Sequence, residues 1–455
     1  MIDSFPPVGG PIQLFYTPIG AKRLPTISRA EGIYMWDTAG KRYVDASSGP
    51  ICCNLGHGNR RVIEAGVSQM SKVSFASRNL FENEPNIQLA ELLATLSGPG
   101  FERAFIVSGG SEATEAALKF ARQYAVVTGR DTKWKALARM PSYHGASLGA
   151  VSVTGDPESE YLYGEVTRIM PKLPAPFTYR LAEGQDAKGA AEAAARALEE
   201  AILAEGPETV LAFIMEPVGG LATGALVAHD VYYRLVRDIC TRHGVLLIYD
   251  EVMSGAGRTG KFLSAEHWPL AKPDMCTLAK GVSAGYTPLG VVMVSAEMTD
   301  ILRNAGGFVH GHTYSANPLS CAIAHAALTE LVERDLMSNA AEMGELLKAE
   351  LIALMDRCDF IGDVRGKGLL TAIEVVSNKE RKSVFASGEP SVGRLVQLGI
   401  ERGLLLYTRR TAYGRYGEWL MIAPPLIVTR EQVHEIVGLL EATFAAFKAE
   451  KAGRP

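Results

Sequence analysis

Residues 245–262 read VLLIYDEVMSGAGRTGKF, and this stretch indicates how the chain folds. The apolar run Val245–Tyr249 is continuous rather than alternating, which is typical of a strand covered on both faces of a sheet. It runs directly into Asp250 and Glu251, and a carboxylate at the end of a buried strand is costly unless it has a partner. Neighbouring strand residues point to opposite faces. We therefore expect Glu251 to form a structural pair with Arg258, which leaves Asp250 to pair elsewhere, for example with a protonated ring nitrogen.

The same alternation of strand and helix extends on both sides of this stretch. Short apolar runs such as RAFIVSGG, TVLAFIMEPV and DMCTLAKG are each separated by helical segments. This order predicts an α/β domain with a largely parallel sheet, whose ligands lie beyond the carboxyl ends of the strands. We predict that residues 81–330 form this large domain. Residues 1–80 and 331–455 are predicted to form a smaller α+β domain built from both ends of the chain.

Composition excludes several classes of protein. The chain has 455 residues and a formal net charge of −4, so no basic surface for nucleic acid is indicated. The six cysteines have spacings that suit neither a zinc site nor a disulfide framework, and no metal is predicted. The first residues, MIDSFPPVGG, lack the pattern of a signal peptide, and no apolar run reaches 18 residues. We expect a soluble cytoplasmic protein without a membrane span.

Two loops are candidate binding elements. Ser108-Gly109-Gly110 follows a predicted strand and precedes a helix that opens at Ser111, an arrangement that favours a phosphate at the helix N-terminus. The alternative is a tight turn with Ser111 as an ordinary N-cap. In the second loop, MPSYHGASLG, Tyr143 and His144 follow a strand, where an aromatic ring either stacks on a flat ligand or packs within the loop.

Lys280 ends the apolar strand in CTLAKGVSAGYTPLG and enters a glycine-rich loop. Such a lysine either extends to solvent or lies in a cleft, where its lowered pKa suits a nucleophile or base. It follows a phosphate loop, an aromatic residue and a strand-end acid on one predicted domain. Pyridoxal phosphate requires this set: a phosphate site, a stacking ring, an acid for the pyridine nitrogen and an amine for a Schiff base.

The order of these motifs resembles the class III pyridoxal-phosphate aminotransferases, the group that includes the ω-amino acid and amine:pyruvate transaminases. The resemblance covers nearly the whole chain. The matching segments are GIYMWDTAGKRYVD, SGGSEATEAALKFAR, YHGAS, IMEPVGG, LLIYDEVMSGAGRTGKF, LAKGVSAGYTPLG, HGHTYSANPLSCA and VRGKGLL. It implies a fold type I transferase with a mostly parallel seven-stranded sheet in the large domain.

The resemblance also assigns roles in cofactor chemistry. It implies that Lys280 forms the Schiff base and shuttles a proton, and that Asp250 keeps the pyridine nitrogen protonated. Val252 and Tyr143 would cover the two faces of the ring, with His144 next to Tyr143.

Further residues complete the implied cofactor site. Gly110 and Ser111 match the phosphate cup. Glu216 matches a pocket glutamate that pairs with a mobile arginine in relatives. Thr313 matches a threonine that reaches the phosphate of the neighbouring subunit, which implies a homodimer. Whether two dimers pair into a tetramer stays open.

Residues for the substrate are less well defined by the resemblance. Ile51 falls where several amine transaminases carry a tryptophan in the pocket wall. Tyr407 falls where a strand-based alignment would put the arginine for a substrate carboxylate. Three nearby arginines are candidates for that role, and each is alternatively a solvated loop charge: Arg409, Arg410 and Arg415.

The function implied is transfer of an amino group from an amine or ω-amino acid to a keto acid such as pyruvate, by a ping-pong mechanism. A dialkylglycine-type decarboxylase or an aminomutase of the same fold shares most of these motifs. A nicotinamide-dependent oxidoreductase is a remote alternative, because SGGSEA is not the G-x-G-x-x-G fingerprint. A non-catalytic binding protein would leave Asp250 and Lys280 as unrelated charges.

Overall fold

The computed structural model of the chain describes residues 24–409 and 411–452. The strands of the described residues are β1 Ile27–Glu31, β2 Tyr34–Asp37, β3 Arg42–Asp45, β4 Arg103–Val107, β5 Lys135–Met140, β6 Lys172–Pro174, β7 Val210–Met215, β8 Leu246–Asp250, β9 Met275–Leu278, β10 Gly290–Val294, β11 Ile361–Lys367, β12 Leu370–Val375, β13 Leu404–Leu405, β14 Tyr407–Arg409 and β15 Trp419–Ile422.

Helices connect most of these strands. They are α1 Ser48–Ile51, a single irregular turn, and then α2 Arg60–Lys72, α3 Glu84–Ser97, α4 Gly110–Val127, α5 Leu148–Val153, α6 Pro157–Tyr163, α7 Ala187–Glu205, α8 Asp230–Arg242, α9 Ala296–Asn304, α10 Pro318–Glu333, α11 Leu336–Arg357, α12 Val392–Glu401 and α13 Arg430–Ala452. Short 3₁₀ turns lie at Ser264–His267, Pro269–Ala271, Lys280–Val282 and Thr411–Gly414. Among the described residues, no helix combines the length and the apolar character that a membrane span needs.

The largest sheet has seven strands in the order β4-β10-β9-β8-β7-β5-β6. The strands from β9 to β6 run parallel, and β10 is antiparallel to both of its neighbours. The prediction of a mostly parallel seven-stranded sheet is confirmed.

Helices cover both faces of this sheet, which explains its continuous apolar strands. Ile248 of β8 lies in one apolar cluster with Phe120 of α4. The preceding residue, Leu247, lies in a second cluster with Val236 of α8. Successive residues of β8 are therefore both buried, on opposite faces.

Two smaller sheets complete the architecture. In one, β13 pairs in parallel with β3 of the N-terminal hairpin, in the order β1-β2-β3-β13. The other is antiparallel, in the order β11-β12-β15-β14. Strands from both ends of the chain thus pair in one of these sheets, and β13 and β14 are separated only by Leu406.

Candidate active site

A cavity of about 630 Å³ lies at the carboxyl ends of the central strands. It forms there because β7, β8 and β9 are parallel neighbours, so the residues that follow them meet at one edge of the sheet. The loops after β4 and β5 supply another part of the lining, and β14 contributes from the smaller part of the protein.

Asp250, the last residue of β8, is buried and lines this cavity. Its Oδ2 atom lies 2.7 Å from Nδ1 of His144. Its Oδ1 atom accepts hydrogen bonds from the Val252 amide at 3.0 Å and from Thr277 Oγ1 at 3.4 Å. Among the described residues, no lysine or arginine pairs with Asp250. The carboxylate is thus oriented by three groups without an ion pair to a fixed side-chain cation.

Glu251 points to the opposite side of the strand, as the period of a strand requires. Its carboxylate accepts hydrogen bonds from the Ser264 amide and hydroxyl, from Ser254 Oγ and from the Ala265 amide, at 2.6–3.1 Å. Burial raises the pKa of Glu251 to about 7 against the lowering effect of these donors. Two of its partners, Ser264 and Ala265, lie in a 3₁₀ turn more than ten residues along the chain, and Ser254 lies three residues after Glu251.

The expected pair between Glu251 and Arg258 is therefore wrong. Arg258 is fully buried and donates to the carbonyl oxygens of Leu369 and Pro424 at 3.2 and 2.5 Å. Its other terminal nitrogen donates to Ser48 Oγ at 3.2 Å and Asn54 Oδ1 at 2.7 Å. Arg258 joins the loop after β3 to the C-terminal part of the chain.

Lys280 begins the 3₁₀ turn after β9, in a left-handed conformation with φ of 44°. Its Nζ atom donates to the carbonyl oxygen of Pro50 at 2.9 Å. Burial lowers the pKa of the Lys280 ammonium group, while Cys52, Asp250 and Glu216 act in the opposite direction. A lysine with a lowered pKa in a cavity has a larger neutral fraction, which is the nucleophilic form.

The loop between β4 and α4 presents backbone N–H groups to the cavity. Gly109 is the N-cap of α4 and Gly110 is its first residue, so the alternative of Ser111 as the N-cap is wrong. A Cβ atom on Gly110 would lie 3.0 Å from Val252 Cγ1. On Gly145, where φ is 141°, it would lie 2.7 Å from Ser111 Oγ. The close approach of these loops leaves an open helix N-terminus that suits a phosphate.

Three further predicted residues line the same cavity: Tyr143, Val252 and Glu216. Glu216 Oε1 accepts a hydrogen bond from the Gly220 amide at 2.9 Å. Its other oxygen is buried and has no hydrogen-bond partner among the described residues. Burial raises the pKa of Glu216, with His144 and Arg139 opposing the shift.

Among the described residues, Arg409 is the candidate arginine that lines the cavity. It is the last residue of β14 and forms an ion pair with Asp156, the N-cap of α6. Its guanidinium carbon lies 5.7 Å from the centre of the Tyr143 ring. Tyr407, at the other end of β14, also lines the cavity.

Of the other two arginines, only Arg415 belongs to the described residues, and it does not line this cavity. Arg415 is exposed and lines a separate pocket of about 200 Å³, where its guanidinium carbon lies 5.7 Å from the Tyr416 ring centre. Arg410 lies outside the described residues.

The structure also differs from the sequence-based expectation at Ile51. This side chain is buried in the core and does not line the cavity, whereas its neighbours Pro50 and Cys52 do. The segment is irregular, with left-handed φ angles at Ser48 and Ile51, so no strand or helix period predicts which side chain faces inward. Thr313 is exposed and does not line the cavity of its own chain.

Comparison with known proteins identifies the family. The model of the family described as "Aminotransferase class-III" matches residues 17–444. The chain belongs to the class III aminotransferases. The chain is 37% identical over 424 residues to the "Uncharacterized aminotransferase YodT" of Bacillus subtilis. The aligned region covers 93% of this chain and 95% of that protein.

Other relatives of this aminotransferase have more specific names. It is 32% identical over 445 residues to the "Putrescine--pyruvate aminotransferase" of Pseudomonas aeruginosa, covering 95% of this chain and 94% of that protein. Among solved structures, the ω-transaminase of Pseudomonas jessenii in complex with PMP is similar with a TM-score of 0.88 and 30% identity, over 94% of each chain. The predicted family, fold class and enzyme class are confirmed.

Proposed function

We propose that this class III aminotransferase uses pyridoxal phosphate to move an amino group from an amine or ω-amino acid to a keto acid such as pyruvate. The observation that carries the proposal is the meeting of Lys280 and Asp250 in one cavity beside the open N-terminus of α4. The residues fit the cofactor. Asp250 is an acid without a lysine or arginine partner in the described part of the chain, Lys280 is a lysine of lowered pKa, and the glycine loops leave no room for a Cβ atom at Gly145.

Each residue has a defined task in this proposal. When bound, pyridoxal phosphate supplies an aldehyde and an electron-accepting ring. The Asp250 carboxylate would keep a proton on the ring nitrogen of the cofactor, and His144 orients that carboxylate. Lys280 Nζ is the amine that would hold the cofactor at its aldehyde carbon, and the same atom would accept the proton from the amine-bearing carbon of the donor. Tyr143 and Val252 hold the ring between them and exclude water from its faces.

The phosphate is held by Gly110 and Ser111 at the start of α4. We propose that Thr313 of a second copy adds a donor to the same group, because Thr313 is exposed on its own chain and away from its own cavity. The protein is then a homodimer with shared sites. All six cysteines are free thiols, which supports a reducing compartment such as the cytoplasm.

Arg409 is the proposed binding group for the keto-acid carboxylate. A guanidinium binds a carboxylate through two parallel hydrogen bonds. When no carboxylate is present, Asp156 is its partner. Arg409 would pair with Asp156 while a donor amine without a carboxylate is bound, and would change its partner to the carboxylate of the keto acid in the second half-reaction. One cavity could then take both substrates. Leu221, Met253 and Tyr407 give the remaining wall an apolar character that suits a hydrocarbon chain.

The test is a donor screen on the cofactor-loaded protein. We would add β-alanine, 4-aminobutyrate, putrescine, 1-phenylethylamine and alanine separately, and follow the visible absorption band of the bound cofactor. Loss of the band with one donor, and its recovery with pyruvate or 2-oxoglutarate, is the expected result. Release of carbon dioxide would instead indicate the decarboxylase. A folded protein without a visible band, identical to its Lys280→Ala variant, would refute the cofactor assignment.

A further inference from the structure

A second group of chemically reactive side chains lies on the segment behind the cavity wall. It consists of Asp45 at the end of β3, Cys53 and His57. One potential ligand atom from each lies within 4.8 Å of the others. None of these three lines the cavity, but Cys52, adjacent to Cys53, does.

The distances between these atoms match those between ligands of a tetrahedral metal ion. Cys52 Sγ lies 3.8 Å from Cys53 Sγ, and His57 Nε2 lies 3.6 Å from Asp45 Oδ2. Bond lengths of about 2.3 Å to sulfur and about 2.0–2.2 Å to nitrogen or oxygen separate tetrahedral ligands by about 3.8 Å and 3.4 Å respectively. Each pair therefore has the spacing of one edge of a coordination sphere, and Cys53 links the two pairs because it lies near both Asp45 and His57.

The surroundings orient the carboxylate of Asp45 and hold the backbone of His57. Asp45 Oδ1 accepts hydrogen bonds from the Ser47 amide at 3.1 Å and the Gly49 amide at 3.2 Å, which fixes the carboxylate. The backbone of His57 pairs with Gly32 through hydrogen bonds of 2.9 and 3.0 Å. Its Nε2 atom is buried and has no hydrogen-bond partner among the described residues. A carboxylate ligand that is itself held by hydrogen bonds is a feature of metal sites.

We propose that Cys52, Cys53, His57 and Asp45 bind a thiophilic divalent cation of the zinc class. Two thiolates and an imidazole select such a cation over magnesium or calcium, which prefer oxygen ligands. On binding, each thiol releases its proton to solvent and forms a bond to the metal, without any change of oxidation state. The cysteine spacing alone gave no such indication, because Asp45 and His57 join the cysteines only through the fold of the loop.

The position of this site would connect it to the cavity. Cys52 lines the cavity, and the carbonyl oxygen of Pro50 on the same segment holds Lys280 Nζ. A bound cation would fix the conformation of this wall.

The test uses untagged, metal-depleted protein titrated with Cd²⁺ as the probe. The readouts are the ultraviolet charge-transfer absorption of cadmium–thiolate bonds and the content of bound metal. We expect one equivalent of Cd²⁺, displaced by excess Zn²⁺. Cys53→Ser should weaken the binding more than about 100-fold, beyond the 10- to 100-fold effect usual for outer-shell partners. His57→Gln should weaken the affinity for Cd²⁺, but the cadmium–thiolate absorption should still develop at high Cd²⁺ concentration. Cys358→Ser, at a half-buried thiol that follows α11, is the matched control.

Two results would overturn the proposal: no thiolate absorption with the wild-type protein, or equal Cd²⁺ affinity in Cys53→Ser. Cys53→Ala, checked by circular dichroism, separates loss of a ligand from loss of folding. None of these readouts depends on amino-group transfer, so the outcome is independent of the proposed function.

Discussion

Replacing Asp250 with asparagine removes one negative charge from the cavity and keeps the shape of the side chain. The asparagine oxygen can still accept the hydrogen bond from the Val252 amide. Its amide nitrogen would face His144 Nδ1, and the imidazole can respond by carrying its proton on Nε2, which has no partner among the described residues. We therefore expect Asp250→Asn to fold and to retain the cavity.

The expected effect is on the rate of the donor half-reaction. An opposite charge in hydrogen-bonding range shifts the pKa of its partner by about 1–3 units. At about 1.4 kcal/mol per unit, loss of that charge costs about 1.4–4 kcal/mol of stabilisation for the protonated ring nitrogen. If the whole of this lost stabilisation is added to the activation free energy of the donor half-reaction, the rate falls about 10- to 1000-fold.

The assay is rapid mixing of cofactor-loaded protein with saturating donor, observed through the visible absorption of the cofactor. Glu251→Gln is the matched control, because it removes a carboxylate from the opposite side of the same strand, where Ser264 is the partner. We expect that variant to react within about threefold of the wild type, or about 0.7 kcal/mol. Equal rates for Asp250→Asn and the wild type, or equal losses in both variants, would refute the reasoning.

Arg258→Met should lower the melting temperature by about 2–6 °C, because it leaves the buried carbonyl oxygens of Leu369 and Pro424 without this donor, at about 1–3 kcal/mol each, and a chain of 455 residues unfolds with about 1 kcal/mol per kelvin of entropy. Calorimetry would check this against the exposed Arg303→Met, expected to cost under about 1 kcal/mol. Burial lowers the pKa of His267 from 6.5 to about 4. Between these pH values the unfolded chain binds a proton at His267 that the folded chain excludes, so the free energy of unfolding decreases as the pH falls. Denaturant titrations at several pH values should therefore show a smaller dependence of the free energy of unfolding on pH in His267→Gln than in the wild type. Arg409→Ala should raise the KM for the keto acid about 10- to 150-fold, since hydrogen bonds to charged groups contribute about 1.5–3 kcal/mol. Arg415→Ala is the control. An unchanged KM in Arg409→Ala, or an equal rise in both variants, would contradict the proposed carboxylate site.

The strand-end residues of the site were predictable from the sequence because their positions follow from regular structure. Asp250 and Lys280 each follow a continuous apolar run, and parallel strands bring such ends to one edge of a sheet. The glycines of the loop at Gly109 mark a helix N-terminus in the same way. In each case a local pattern determines the position of the side chain.

The cavity wall was less predictable because it is formed by irregular segments and by distant parts of the chain. The left-handed residues around Ile51 turn that side chain into the core and expose Cys52 instead. Glu251 pairs with Ser264 rather than Arg258 because the loop returns a 3₁₀ turn to the strand end. Among three neighbouring arginines, no sequence pattern distinguishes Arg409, which reaches the cavity through the pairing of β14 with β15.

Leu406 is the only residue between β13, which belongs to the sheet of the N-terminal hairpin, and β14, which belongs to the antiparallel sheet. During synthesis, the strands of the central sheet are all translated by Val294, more than 100 residues before Leu406. A nascent chain can thus bring Asp250 and Lys280 together well before Tyr407 and Arg409 exist. We expect the order of synthesis to separate two properties: cofactor chemistry becomes possible first, and discrimination between substrates only when the C-terminal strands have joined both sheets.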